Sequence, residues 1–363
     1  MEENIVPQVE AWLLWSGLTM GAMLGAIVQR TNFCMANCFT SIRIFGSFLQ
    51  FKAYMVALLV AMAGAQALHD FAVFNPSQSI YLPQNFPILG FIVGGYLFGT
   101  GMVWAGGCAT RILVRIGEGH MGALVSIFAF NITAGSTLAG HLAYTNEYFF
   151  RKYPITFNSP SSIPALIGIN PWIVIGLFAL FLAVWFIRSA KDDDFWGIKW
   201  PVTGIAIGLL VVAGWYVTGS AQTQIVADEF LAMDSSVVNK FRPTSLTFAK
   251  PNADFFSYIA TATGSTINFG IATVIGVFLG SFITAQVTRT FHWVVPPDKN
   301  SFLGHLIGGS LMGFGAIIAL GCNFGQGITG LSLLGLGGLI TTVFIVLGSW
   351  TSVWIKSRMM RRS

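Results

Sequence analysis

Nine stretches of the chain are long and apolar enough to cross a lipid bilayer, and they limit the possible folds more than any other feature. They cover approximately residues 11–29, 52–69, 87–105, 119–142, 172–188, 200–219, 264–287, 303–320 and 331–355. Only 9% of the residues are charged, whereas soluble domains carry about 25%. Backbone inside a bilayer must satisfy its own hydrogen bonds, so separated apolar spans of this length fold as helices. We therefore expect an all-α polytopic membrane protein with one membrane domain over residues 1–363.

Lysine and arginine are unevenly distributed between the loops that connect these spans. If the N-terminus lies outside, 14 of the 19 basic residues fall on the inner side, and the other five lie in the two longest outer loops. Short loops rich in basic residues stay in the cytoplasm. We therefore expect an N-terminus on the outer side, which is the periplasm in a bacterial inner membrane, and a cytoplasmic C-terminus. The net charge of +5 then reflects topology, and we expect no nucleic-acid partner.

One apolar segment occurs twice. Residues 94–108 read GGYLFGTGMVWAGGC and residues 308–322 read GGSLMGFGAIIALGC, so that eight of fifteen positions are identical. In the expected topology the two copies cross the membrane in opposite directions. We therefore predict inverted repeats at approximately 11–142 and 200–355, joined by a linking span at 172–188. The polar stretch 220–257 is expected to be an external loop or to form short surface helices.

Three polar segments interrupt the apolar pattern, at residues 29–39, 106–111 and 321–330, and the second and third of them contain glycine. Each is too short to span the membrane, yet apolar spans flank it directly. Irregular backbone at membrane depth occurs only inside protein or beside a wet cavity. We expect short re-entrant helices whose N-termini meet near the membrane centre, where free N–H groups and the helix dipole favour an anion. Repeated, broken apolar segments of this kind are typical of the binding sites of transporters.

Each interrupted segment contains a cysteine, namely Cys34, Cys108 or Cys322, and Cys38 follows four residues after the first. A neutral thiol is polarizable and is a weak donor and acceptor. It therefore suits a soft, sulfur-bearing ligand, whereas a hard anion such as phosphate is more naturally met by arginine. Buried cysteine is often only a small apolar residue, and no repeat supports Cys38. The other predicted binding residues lie beside the three thiols and are Asn32, Gly107, Arg111, Gly321, Asn323 and Gln326.

Motifs of other functional classes do not occur in the sequence. It has no phosphate-binding Walker loop, no recognisable Ser/His/Asp constellation and no metal-ligand spacing among its five histidines. We therefore expect a protein without enzymatic activity, metal or cofactor. Two alternatives remain open: a membrane thiol enzyme that relays sulfane sulfur as cysteine persulfide, and a membrane anchor for a sulfur-carrier complex.

Taken together, the motifs QRTNFCMANCF, GGCATR and GCNFGQGITG resemble those of the YeeE/YedE family of inner-membrane sulfur transporters. The resemblance implies an hourglass-shaped, pseudo-symmetric helical fold surrounded by membrane lipid. It also implies uptake of thiosulfate along one essential cysteine from each motif, here Cys34, Cys108 and Cys322, through S–H···S contacts. A small cytoplasmic sulfur carrier of the TusA type is the implied partner. Related sequences have other residues at Asn37, Cys38 and Arg111, and some are linked to selenium metabolism, so a selenium compound is an alternative substrate.

Overall fold

Helices make up nearly all of the structure, a computed structural model that describes residues 5–157, 159–189, 199–220, 223–224, 242–261 and 267–361. The α-helices are α1 (Ile5–Thr31), α2 (Met35–Phe45), α3 (Leu49–Asp70), α4 (Ile88–Trp104), α5 (Ala109–Gly117), α6 (Met121–Ala139), α7 (Ala143–Thr145), α8 (Ile163–Ile167), α9 (Pro171–Ser189), α10 (Lys199–Gly219), α11 (Lys250–Thr261), α12 (Phe269–Val287), α13 (Lys299–Ile318) and α14 (Leu336–Met360). Two π-helical turns cover Asn146–Arg151 and Gly325–Gly330, and a 3₁₀ turn covers Pro76–Gln78. Strands β1 (Asn85–Phe86) and β2 (Ile155–Thr156) form a short antiparallel pair.

The predicted membrane spans are present. Within the described ranges, nine helical stretches are long and apolar enough to cross a membrane, so the chain is a multi-pass membrane protein. Two of these stretches, Pro7–Phe45 and Ile88–Gly117, each include a break followed by a short helix. The last span begins at Leu336 and not at 331 as predicted, because a turn with a left-handed Leu334 (φ 55°) precedes it.

Glycines allow the spans to approach one another to backbone contact. A Cβ atom at Gly25 would lie 2.3 Å from the Val277 carbonyl oxygen, and one at Gly99 would lie 2.1 Å from that of Ile345. Small residues permit this close packing where lipid supplies no hydrophobic driving force between helices. The main packed pairs are α1 with α12, α4 with α14, α6 with α13, α4 with α13, and α3 with α10.

The two copies of the repeated segment cross each other as α4 and α13, in antiparallel directions. A Cβ atom at Gly94 would lie 2.6 Å from the carbonyl oxygen of Gly315, and one at Gly101 would lie 2.6 Å from that of Gly308. Gly94 and Gly308 occupy equivalent positions of the repeat, as do Gly101 and Gly315. The two contacts are therefore equivalent by the symmetry that relates the two copies. The packing therefore favours the inverted repeats at 11–142 and 200–355, which remain a prediction.

The segment predicted as an external loop or surface helices is buried over part of its length. Residues 225–241 lie outside the described residues. Leu246 and Phe248 are fully buried, and the Phe248 ring meets that of Phe324 edge-on at 5.6 Å. The Thr329 hydroxyl donates to the Leu246 carbonyl oxygen at 2.7 Å. A location on the surface is therefore wrong around residues 245–249, because these side chains and backbone groups fill the space beside the Gly325–Gly330 turn. The position of the segment on the outer side of the membrane stays a prediction.

Candidate functional site

Three of the cysteines occupy equivalent positions in three local structures. Cys34 precedes α2 and Cys108 precedes α5, both with extended backbone, and Cys322 precedes the helical residues 323–332. The residue two positions before each cysteine has a left-handed backbone: Asn32 (φ 57°), Gly106 (φ 77°) and Leu320 (φ 57°). A left-handed residue ends a helix, so each cysteine follows a helix end and directly precedes the free N–H groups of the next helix.

All four cysteines are buried, with exposed fractions of 4% or less, and none of them forms a disulfide bond. The side chains of Cys34 and Cys108 lie close enough to interact with each other, and an electrostatic interaction also connects Cys108 with Cys322. The structure therefore brings two thiols from separate breaks close together, with the third in their vicinity.

Cys322 is surrounded by polar groups. The backbone N–H of Gly325 donates to its sulfur at 3.3 Å, and Thr247 lies near the same thiol. A Cβ atom at Gly325 would lie 2.5 Å from Thr247 Oγ1 and 3.2 Å from Tyr81 Oη. Tyr81 is 1% exposed, and its hydroxyl has no hydrogen-bond partner. The absence of a side chain at Gly325 thus allows two hydroxyls to approach this thiol.

Asn323 and Gln326, both in the turn after Cys322, have different hydrogen-bonding states. Asn323 is fully buried, and neither its amide nitrogen nor its amide oxygen has a partner. A buried, unpaired amide is unfavourable, so Asn323 is available to a ligand. The Nε2 atom of Gln326 donates to the Ala319 carbonyl oxygen at 2.8 Å. This bond satisfies a carbonyl at the end of α13, which gives Gln326 a positioning role in this conformation.

Arg111 connects the break at Asn32 with the end of α5. Its Nη2 donates to Asn32 Oδ1 at 2.9 Å, and its Nη1 donates to Glu118 Oε1 at 3.2 Å. Gly107 allows the first turn of α5 to fold closely, since a Cβ there would lie 3.3 Å from Arg111 Cβ. A Cβ at Gly321 would similarly lie 3.0 Å from the Gln326 side chain.

Cys38 differs from the other three cysteines. It lies within α2, and its thiol donates to the Gln50 carbonyl oxygen at 3.4 Å. A thiol that is bonded to backbone inside a helix–helix contact has the character of a packing residue. The geometry therefore favours a structural role for Cys38.

Residues 30–351 match the family model described as sulphur transport. The chain belongs to this family. It is 29% identical over 362 residues to the thiosulfate transporter TsuA of Escherichia coli (strain K12), with 94% of each chain covered. It is 26% identical over 355 residues to the thiosulfate transporter TsuA of Spirochaeta thermophila (strain ATCC 700085 / DSM 6578 / Z-1203), with 95% of this chain and all of the relative covered. The YeeE/YedE membership predicted from the cysteine motifs is confirmed.

The sequence motifs of this sulphur transport protein did not reveal every polar group beside the thiols. Tyr81 lies in the loop before β1, and Thr247 lies in the stretch predicted to be external. Neither belongs to an interrupted apolar segment, so no local pattern marked them. Thr110, whose buried hydroxyl has no partner, does lie within the GGCATR motif, and its position two residues after Cys108 was the available signal.

Proposed function

We propose that this protein imports thiosulfate, or a closely related sulfur-containing anion, through the inner membrane of a bacterium into the cytoplasm. The observation that carries the proposal is the recurrence of a buried thiol before the first turn of a short helix at Cys34, Cys108 and Cys322. Relatives that are named thiosulfate transporters align with nine-tenths or more of the chain. The predicted topology places the N-terminus in the periplasm and the C-terminus in the cytoplasm.

The three thiols guide the anion without forming a covalent bond. Cys322 receives it from the outer side, and the contacting pair of Cys34 and Cys108 accepts it next. A neutral S–H group donates weakly to the terminal sulfur of the anion, and its removal from water costs little. The adjacent helix N-termini supply N–H groups and a favourable dipole for the negative charge.

Buried polar groups beside the thiols hold the oxygen atoms of the anion. Asn323 offers an unpartnered amide, and the hydroxyls of Tyr81 and Thr110 are likewise buried without partners. Each buried polar group without a hydrogen bond costs about 1–3 kcal/mol. Hydrogen bonds from these groups to a bound anion therefore offset that cost and favour binding. A small cytoplasmic sulfur carrier of the TusA type is the proposed partner on the inner side.

The proposal is tested by uptake of radiolabelled thiosulfate into liposomes that contain the purified protein. Cys34→Ala, Cys108→Ala and Cys322→Ala should each lower the initial rate at least about tenfold, the effect of losing roughly 1.4 kcal/mol of interaction. Cys38→Ala is the matched control, because Cys38 is equally buried but bonded to backbone, and it should keep the wild-type rate. Wild-type rates in all three test variants would overturn the mechanism.

Two further measurements separate the alternatives. Mass spectrometry of the protein after exposure to thiosulfate should find all four cysteines unmodified, whereas a persulfide on Cys34, Cys108 or Cys322 would favour a thiol enzyme. An excess of a selenium oxyanion should compete weakly with thiosulfate for uptake. Preferred transport of the selenium compound would change the assigned substrate.

A further inference from the structure

A polar cavity of about 310 Å³ adjoins the breaks that carry Cys34 and Cys108. Nine residues line it, and all of them are polar or charged. They come from the end of α1, from α5 with the turn that follows it, and from the segment after α12. We call it the Arg111 cavity. In the predicted topology these three segments lie on the cytoplasmic side.

Positive charge predominates in the Arg111 cavity. Arg30 and Arg111 both line it, and Glu118 is its single carboxylate. The side chains of Arg111 and Glu118 are 12% and 10% exposed, so their ion pair is largely shielded from water. A guanidinium group has five N–H donors, and the bonds to Glu118 and Asn32 occupy two of them. Arg111 therefore retains donors in a fork that matches an oxyanion.

A buried polar group without a partner also lines the cavity. Gln29 is 5% exposed, and its Oε1 has no hydrogen-bond partner, while its Nε2 contacts Thr290 Oγ1 at 2.8 Å. The Thr290 hydroxyl can donate as well as accept. The Gln29 amide can therefore turn over and offer its NH₂ group to a ligand.

The Arg111 cavity lies next to the segments that carry the Cys34 and Cys108 thiols. Asn32 lies two residues before Cys34, and Arg111 lies three residues after Cys108. The charge of Arg111 also acts on the Cys34 thiol. An anion that leaves the contacting thiols on this side therefore meets the Arg111 guanidinium next.

We propose that the Arg111 cavity is a second anion site, separate from the thiols, in which Glu118 competes with a divalent oxyanion for Arg111. The position of this site after the thiols on the transport path rests on the proposed function. Recognition at the site itself requires only that the ligand carry oxygen atoms and negative charge. When the anion arrives, it displaces the Glu118 carboxylate from the guanidinium. When Glu118 pairs with Arg111 again, the anion is released, so that Glu118 keeps the affinity of the site low.

The test measures binding of radiolabelled thiosulfate to the purified full chain in detergent. The background is a variant with Cys34→Ala, Cys108→Ala and Cys322→Ala, so that the remaining binding reports the Arg111 cavity alone. Adding Glu118→Gln should tighten this binding at least about tenfold, because a charged competitor is lost. Adding Arg111→Gln should abolish it, and unlabelled sulfate should displace the bound thiosulfate. Arg43→Gln is the matched control, because Arg43 is an exposed arginine of α2 outside the cavity, and it should leave binding unchanged.

Either of two outcomes would overturn the second site. One is no binding in the background with the three cysteine substitutions, even with Glu118→Gln. The other is equal binding with Arg111→Gln and Arg43→Gln. If Arg111→Gln does not fold, Arg111→Lys replaces it, since lysine keeps the charge and loses the fork. It should weaken binding, and full affinity in Arg111→Lys would also refute the site. Uptake by the wild-type protein is measured in parallel. Its absence alongside intact cavity binding would refute the proposed function and leave the oxyanion site standing.

Discussion

Gly308 lies at the crossing of α4 and α13, and its replacement by alanine should both destabilise the protein and impair transport. A Cβ atom at this position would lie 2.3 Å from the backbone nitrogen of Ala105, 2.7 Å from the Gly101 carbonyl oxygen and 2.8 Å from the carbonyl carbon of Trp104. All three are backbone atoms, so no side chain can rotate away to relieve the contact. Ala105 lies three residues before Cys108, and any displacement is passed on to that thiol.

The size of the destabilisation can be estimated from the distances between the added Cβ atom and its neighbours. Carbon atoms meet their neighbours at about 3.5 Å or more, so the two helices must separate by about 1 Å to accept the new methyl group. Overpacking of this kind costs about 1–3 kcal/mol, while replacing glycine by alanine inside a helix regains about 1 kcal/mol. We expect a net decrease of up to about 2 kcal/mol in the free energy of unfolding.

The assay compares melting temperature in detergent and thiosulfate uptake in liposomes for Gly308→Ala and a matched control. Gly135→Ala is the control, because a Cβ atom at Gly135 in α6 would meet nothing within 4 Å. It should melt at or above the wild-type temperature and transport normally. If Gly308→Ala melts and transports like Gly135→Ala, the two helices do not depend on backbone contact, and the reasoning fails.

Three other predictions concern single features of the structure. Asn32→Ala should melt below Asn32→Gly by an amount equivalent to about 1 kcal/mol, because Asn32 has φ 57° and glycine tolerates that backbone; equal melting would refute the strain. Burial lowers the pKa of His120 from 6.5 to about 4, so the unfolded chain binds more protons in this range and stability should fall as the pH drops from 6.5 towards 4; His120→Gln should flatten the decline in melting temperature, and an unchanged decline would count against it. Mild oxidation should join Cys34 to Cys108, detected by mass spectrometry, in the wild type and in Cys38→Ser but not in Cys34→Ser; a disulfide that involves Cys38 instead would contradict the described contact.

The membrane spans could be predicted because the bilayer allows few solutions for an apolar chain. Their boundaries were less predictable where apolar residues continue into non-spanning structure. Residues 331–334, for example, are leucines apart from Ser332, but they complete the turn after Gly325–Gly330 and precede α14. Burial of Leu246 and Phe248 was not predictable either, since hydropathy over a polar stretch carries no information about its tertiary contacts.

The candidate site was predictable to the extent that its residues are local in sequence. Glycine and asparagine tolerate left-handed backbone, so the breaks at Asn32 and Gly106 carried a signal. Leu320 adopts the same conformation without such a signal, and its break was indicated by the repeat and by the polar segment 321–330 that follows it. The approach of Tyr81 and Thr247 to Cys322 depends on loops from distant parts of the chain, which no motif encodes.

A crystal or cryo-electron microscopy structure of the protein with bound thiosulfate tests the central claim most directly. The account predicts that the terminal sulfur of the anion contacts the thiol of Cys34, Cys108 or Cys322, with its oxygens near Asn323 or a helix N-terminus. Thiosulfate bound on a route that passes none of these three thiols would contradict it.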